Sequence, residues 1–135
     1  MQRQACNSGH AHVTQAPDGE PVTATTLDAF FADRRLERLD ALLVDVEGLE
    51  DRVLRGAEGT IARFRPPLLV EMFPVVLEQQ GTSAGGVAAV IGQYGYKMYR
   101  AHKQRLLPVA ALPVGDERIY ALCIHKDRPQ PRPSL

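Results

Sequence analysis

Two acids and a glycine, Asp45, Glu47 and Gly48, close the apolar run Leu42-Leu43-Val44, and a further acid, Glu71, closes a second run, Leu68-Leu69-Val70. A carboxylate in such a place can orient a hydroxyl or take its proton, whereas Asp45 in the plainer reading caps the helix that follows. Three acids at one edge also suit a divalent cation, which takes oxygen ligands. Spacing supplies neither the ligand count nor the geometry, so no metal is assigned.

The elements that must position these acids follow from the hydrophobic pattern. Apolar runs without polar alternation are the pattern of strands buried on both faces. Between the two runs, Glu50 to about Phe64 reads as one helix, with Val53, Leu54, Ala57, Ile61 and Phe64 on one face. Gly56 and Gly59 inside it each cost about 1 kcal/mol relative to alanine, which implies close packing against a neighbour, or a bend. Pro66 and Pro67 end it. Two strand–helix units in succession imply a parallel sheet, which puts Asp45 and Glu71 at the same edge, where ligands of open α/β sheets bind.

Upstream, Thr26 stands where a helix N-cap belongs, and Leu27, Phe30 and Phe31 share a face and are expected to anchor in the core. Downstream, Gly81-Thr82-Ser83-Ala84-Gly85-Gly86 opens a helix closed by Gly95. Such an entry can hold a phosphate, but it lacks both the P-loop ending and the dinucleotide-binding glycine pattern, so Ser83 reads as a helix cap. The last third turns β-like over Tyr96–Arg100, Arg105–Val109 and Arg118–Ile124, an antiparallel C-terminal edge on the parallel sheet. Lys97, Arg100, His102, Lys103 and Arg105 cluster there, either to meet an anion or as the solvated charges that protect an exposed edge.

Residues 1–21 are polar and aperiodic, and residues 126–135 carry Pro129, Pro131 and Pro133; both segments are expected to be disordered. His10 and His12 alone are too few to hold a metal. Sixteen basic residues balance sixteen acidic ones, leaving no global field to attract nucleic acid or an anionic membrane. Cys6 and Cys123 lie too far apart in sequence and in context to suggest a disulfide framework. No run is long and apolar enough to span a bilayer, and Met1 to Thr14 lacks the apolar core of a signal peptide. A cytoplasmic location is the expectation.

In this order of elements, five blocks resemble the C-terminal half of FkbM-type S-adenosylmethionine-dependent methyltransferases. They are Thr26-Leu27-Asp28-Ala29-Phe30, Val44-Asp45-Val46-Glu47-Gly48-Leu49-Glu50, Val53-Leu54-Arg55-Gly56-Ala57, Arg65-Pro66-Pro67-Leu68-Leu69-Val70-Glu71 and Gly95-Tyr96. The resemblance spans about residues 22–125. It implies an α/β fold: part of a Rossmann-like class I methyltransferase sheet, with Leu42 to Asp45 as the fourth strand, Leu68 to Glu71 as the fifth, and the closing β segments as the sixth and seventh.

The activity it implies is O-methylation of a sugar or natural-product hydroxyl with S-adenosyl-L-methionine as the donor. Asp45 takes the family's acidic position, as base or acceptor-orienting group. Glu47 contacts substrate or holds the loop, Gly48 permits the turn, and Glu71 is a candidate on the acceptor side. Leu43 departs from the pattern, because a lysine commonly stands there. The family's glycine-rich donor loop and the acid after the second strand have no counterpart upstream of Val22. One βαβ unit alone needs about 30 residues. The expectation is therefore a truncated enzyme, a chain completed by a partner or by another copy of itself, or a fragment with a non-catalytic role.

Overall fold

The structure, a computed structural model, describes residues 22–103 and 105–131. The elements run α1 (Leu27–Arg34), β1 (Leu42–Val44), α2 (Glu50–Arg55), α3 (Glu58–Phe64), β2 (Leu68–Met72), α4 (Pro74–Gln79), α5 (Ala84–Gln93), β3 (Tyr96–His102), β4 (Arg105–Pro108) and β5 (Ile119–His125). The strands form one sheet in the order β1-β2-β5-β3-β4. β1 and β2 are parallel, as two successive strand–helix units require, and every other pairing is antiparallel. The last strand in the chain thus inserts beside β2, and the β3–β4 hairpin lies outside it. The fold is α/β with a mixed sheet, in keeping with a methyltransferase-like arrangement.

Side chains alternate along the strands, so each register row belongs to one face. Val44, Leu68, Val70, Met72, Ala121 and Cys123 point to the face that meets Leu54, Ala57, Ile61, Leu77, Val87, Val90 and Ile91, and together they form the core. On the other face Leu43 is 62% exposed and its partner Leu69 is 38% exposed. The expectation of strands buried on both faces is therefore corrected. Among the described residues, helices cover only one side of this sheet, and an unbroken apolar run cannot reveal which side chains remain outside.

Two helical expectations also change, and one further helix emerges. The stretch Glu50–Phe64 is two helices, because the backbone leaves helical geometry at Gly56 and Ala57. A Cβ on Gly56 would lie 3.3 Å from Thr26 Cγ2, and one on Gly59 would lie 3.2 Å from Asp28 Oδ2, so both the bend and the close packing are present. In α1, Leu27 packs against the core, but no residue is fully buried; Phe30 is 42% exposed and Phe31 stacks on Phe64 at 5.6 Å. α4 is a helix that the pattern Pro74-Val75-Val76-Leu77 hides, since Val disfavours helix and only the proline at its start marks it. Ser83 does cap α5, accepting from the Gly86 N–H at 3.1 Å.

Lys126 to Pro131, expected to be disordered, is held against the body. Asp127 pairs with Arg65 at 2.9 Å, the Arg128 guanidinium donates to the Phe64 and Arg65 carbonyls, and Gln130 accepts from the Tyr99 hydroxyl at 2.9 Å. The expected N-terminal tail, with Cys6, His10 and His12, lies outside the described residues, as do residues 132–135.

Candidate functional site at the strand ends

Val44 is in register with Val70, so Asp45 follows β1 at the level of Glu71, and Glu71 is in register with Tyr120 of β5. All three belong to the open face. The Tyr120 hydroxyl donates to Asp45 Oδ2 at 2.9 Å. This hydrogen bond and partial desolvation push the Tyr120 phenol up to about 12, so it remains a donor throughout the physiological range.

Glu71 is only 2% exposed. Burial, and then the charge of Asp45, raise its pKa above the usual carboxylate value, while Arg118 and Tyr120 oppose the shift. The Arg118 guanidinium approaches Glu71 Oε1 at 3.1 Å, too far off line for a hydrogen bond, and lies 4.4 Å above the Phe73 ring. Asp45, Tyr120, Glu71, Arg118 and Phe73 thus make one contact chain across three elements.

The loop after β1 owes its shape to backbone conformation and to one buried carboxylate. Glu47 has φ +51 and Gly48 φ +95, the left-handed region that suits glycine. A Cβ on Gly48 would stand 2.7 Å from the Val76 carbonyl oxygen. Glu50, 1% exposed, accepts from the Val46 N–H at 3.1 Å and the Gly48 N–H at 3.2 Å through Oε1. Its Oε2 is buried without a partner among the described residues.

Of the sequence-derived residues, Asp45, Glu47, Gly48 and Glu71 gather at this end. Asp45 is exposed, Glu47 half-buried, and Gly48 and Glu71 buried. Asp45 makes its side-chain bond to Tyr120 rather than capping α2, whose N-cap, Leu49, has no side-chain cap. Sequence reasoning missed Glu50, Tyr120 and Arg118. An acid in the first turn of a helix suits the positive end of its dipole, which is the one sequence signal that marks Glu50. Tyr120 and Arg118 could have been found only by knowing that β5 inserts beside β2.

Among the described residues, no group of three or more His, Cys, Asp or Glu stands where it could hold a metal ion. No helix there is long and apolar enough to cross a membrane. Cys123 is a free, buried thiol pushed up to about 12 by burial, so it is a packing residue rather than a nucleophile.

Asp45 and Glu71 thus stand at the C-terminal ends of the two parallel strands of a mixed α/β sheet, beside the Tyr120 phenol. The chain belongs to the family of the methyltransferase FkbM domain, whose model matches residues 3–98. The match takes in Asp45, Glu47, Gly48 and Glu71 and ends within β3, so Tyr120 and Arg118 come from a segment beyond it. Comparisons with curated proteins and with solved structures give no match.

S-adenosylmethionine, which the family implies, does not fit the described residues by themselves. No strand among them precedes β1, and the cleft that Tyr120 shares beside Asp45 carries the guanidinium groups of Arg100 and Arg118, which would repel a sulfonium cation.

Proposed function

We propose that this chain serves S-adenosylmethionine-dependent O-methylation of a sugar or natural-product hydroxyl, supplying the acceptor side while residues outside 22–131 or a partner chain hold the donor. The observation that carries this reading is the Tyr120–Asp45 hydrogen bond at the ends of the parallel strands. Family chemistry moves a methyl group from a sulfonium to an acceptor oxygen. In this chain, Asp45 accepts a hydrogen bond from the acceptor hydroxyl and takes its proton. Tyr120 fixes the carboxylate through its other oxygen, so that one Asp45 oxygen is left for the acceptor. Glu47 lines the same loop, Gly48 gives it its turn, and buried Glu71 anchors Arg118.

The experiment is to isolate the full chain by affinity tag from its own host, with whatever accompanies it, and to measure transfer of labelled methyl groups to small hydroxyl compounds. Transfer supports the reading, and a fully occupied but inactive complex contradicts it.

A second reading, a non-catalytic fragment that associates through its sheet edge, is favoured by one feature. Among the described residues β1 pairs on one side only, and it presents Leu43, a leucine where the family commonly has lysine. Light scattering of the full chain separates the readings: concentration-dependent dimers lost on Leu43→Lys support association, and a monomer at all concentrations excludes it.

A further inference from the structure

The ladder between β3 and β5 stops at Tyr99 and Leu122. β3 continues to His102, paired with β4, while β5 begins at Ile119, paired with β2. The two strands therefore splay at the end where Asp45 stands. The opening is a cleft of about 390 Å³ lined by Arg100, Ala101, His102, Arg118, Ile119 and Tyr120.

This lining holds two guanidinium groups, an imidazole and a phenol, and no carboxylate. The acids nearby contact the arginines: Glu117 meets Arg100 at 3.4 Å and Glu71 meets Arg118 at 3.1 Å. Arg118 also lies over the Phe73 ring, so its guanidinium is held between a carboxylate and an aromatic face. Arg100 and Glu117 are each about half exposed, so solvent screens the pair and an incoming anion displaces Glu117 at little cost.

We propose that this cleft is an oxyanion subsite that takes the carboxylate or phosphate of an acidic acceptor while a hydroxyl of the same molecule meets Asp45. The proposal rests on reading the Asp45 end as the acceptor side. A guanidinium held at the cleft presents paired donors that match the two oxygens of a carboxylate or phosphate. Tyr120 both lines the cleft and bonds to Asp45 at 2.9 Å, so the anion and the reacting hydroxyl fall within the span of one small molecule.

The test is an NMR titration of the ¹⁵N-labelled full chain with glucose 1-phosphate, glucuronate and glucose. The expected result is saturable shifts in the amides of residues 100–102 and 118–120 with at least one of the acids and none with glucose. The acid that binds more tightly identifies phosphate or carboxylate as the source. Arg100→Gln weakens binding by about ten-fold, the loss of one charge-assisted contact. Glu117→Gln, which removes the competitor of the ligand, tightens it, an effect that misfolding cannot imitate.

The proposal is overturned if neither acid gives saturable shifts, if the shifts fall elsewhere, if glucose matches the acids, or if Glu117→Gln weakens binding or leaves it unchanged. Acid binding here without methyl transfer by the natively isolated protein would sink the acceptor-side reading and keep the subsite. Methyl transfer to a neutral acceptor without acid binding would sink the subsite alone.

Discussion

Tyr120 reaches across the sheet to Asp45, 75 residues earlier in the chain, with its hydroxyl 2.9 Å from Oδ2. This bond links the loop after β1 to the strand that inserts beside β2, and it orients a carboxylate that would otherwise rotate in solvent. Replacing Tyr120 by Phe removes the bond and little else. Because both side chains are exposed, urea denaturation should show a loss of about 1 kcal/mol or less. Methyl transfer should fall about ten-fold or more, while the affinity for an acidic ligand, held by the arginines, changes little. A loss of stability well above this range, with activity intact, would make Tyr120 a structural residue.

Gly48 is fixed by two independent constraints, a φ of +95 and the approach of the Val76 carbonyl, 2.7 Å from where a Cβ would stand. Gly48→Ala should destabilise the fold by about 1–3 kcal/mol, measured by chemical denaturation. A neutral result would mean that the loop between Val44 and Glu50 relaxes freely, and that it does not hold Asp45 in place.

Asp28 joins the first helix to the third. Its carboxylate accepts from the Gly59 N–H at 2.8 Å and the Thr60 N–H at 2.7 Å, the orphan donors at the start of α3. Burial pushes its pKa up, but the hydrogen bonds from Thr60 and Gly59 outweigh it and hold the carboxyl below its usual value. The folded state thus binds this proton less readily than the unfolded chain. The stabilisation is complete above the ordinary value of 3.8 and is lost as pH falls through the lowered one. Asp28→Ala should cost about 1 kcal/mol at neutral pH, and less in acid. A pH-independent cost would exclude the charged cap.

Glu71 has the opposite sign. Its raised pKa means that the folded protein keeps the proton after the unfolded chain has lost it, near 4.5. Stability from this group is therefore greatest below 4.5 and declines as pH rises through the raised value. Denaturation midpoints compared across that window should fall more steeply for the wild type than for Glu71→Gln. Parallel curves would contradict the shift.

What the sequence disclosed and what it concealed divide along physical lines. Local signals carried well: the cap at Ser83, the stop at Pro66 and Pro67, and the two apolar runs that deliver Asp45 and Glu71 to one edge. Non-local facts did not. The exposure of Leu43 and Leu69 depends on which face the helices cover, and the break at Gly56 depends on how Thr26 and Asp28 pack against it. The role of Tyr120 depends on β5 inserting between β2 and β3, an order that hydrophobic period does not encode. Phe30 shows the same limit from the other side, since the spacing of Leu27, Phe30 and Phe31 belongs to a helix that lies only lightly on the core.

Asp45 is the residue on which proton removal from the acceptor hydroxyl depends. In the natively isolated protein, Asp45→Asn keeps the size and a hydrogen-bond acceptor but removes the charge that takes a proton. Methyl transfer should fall about 10²-fold or more, with the denaturation midpoint nearly unchanged. An unaltered rate in a folded Asp45→Asn protein would contradict that role.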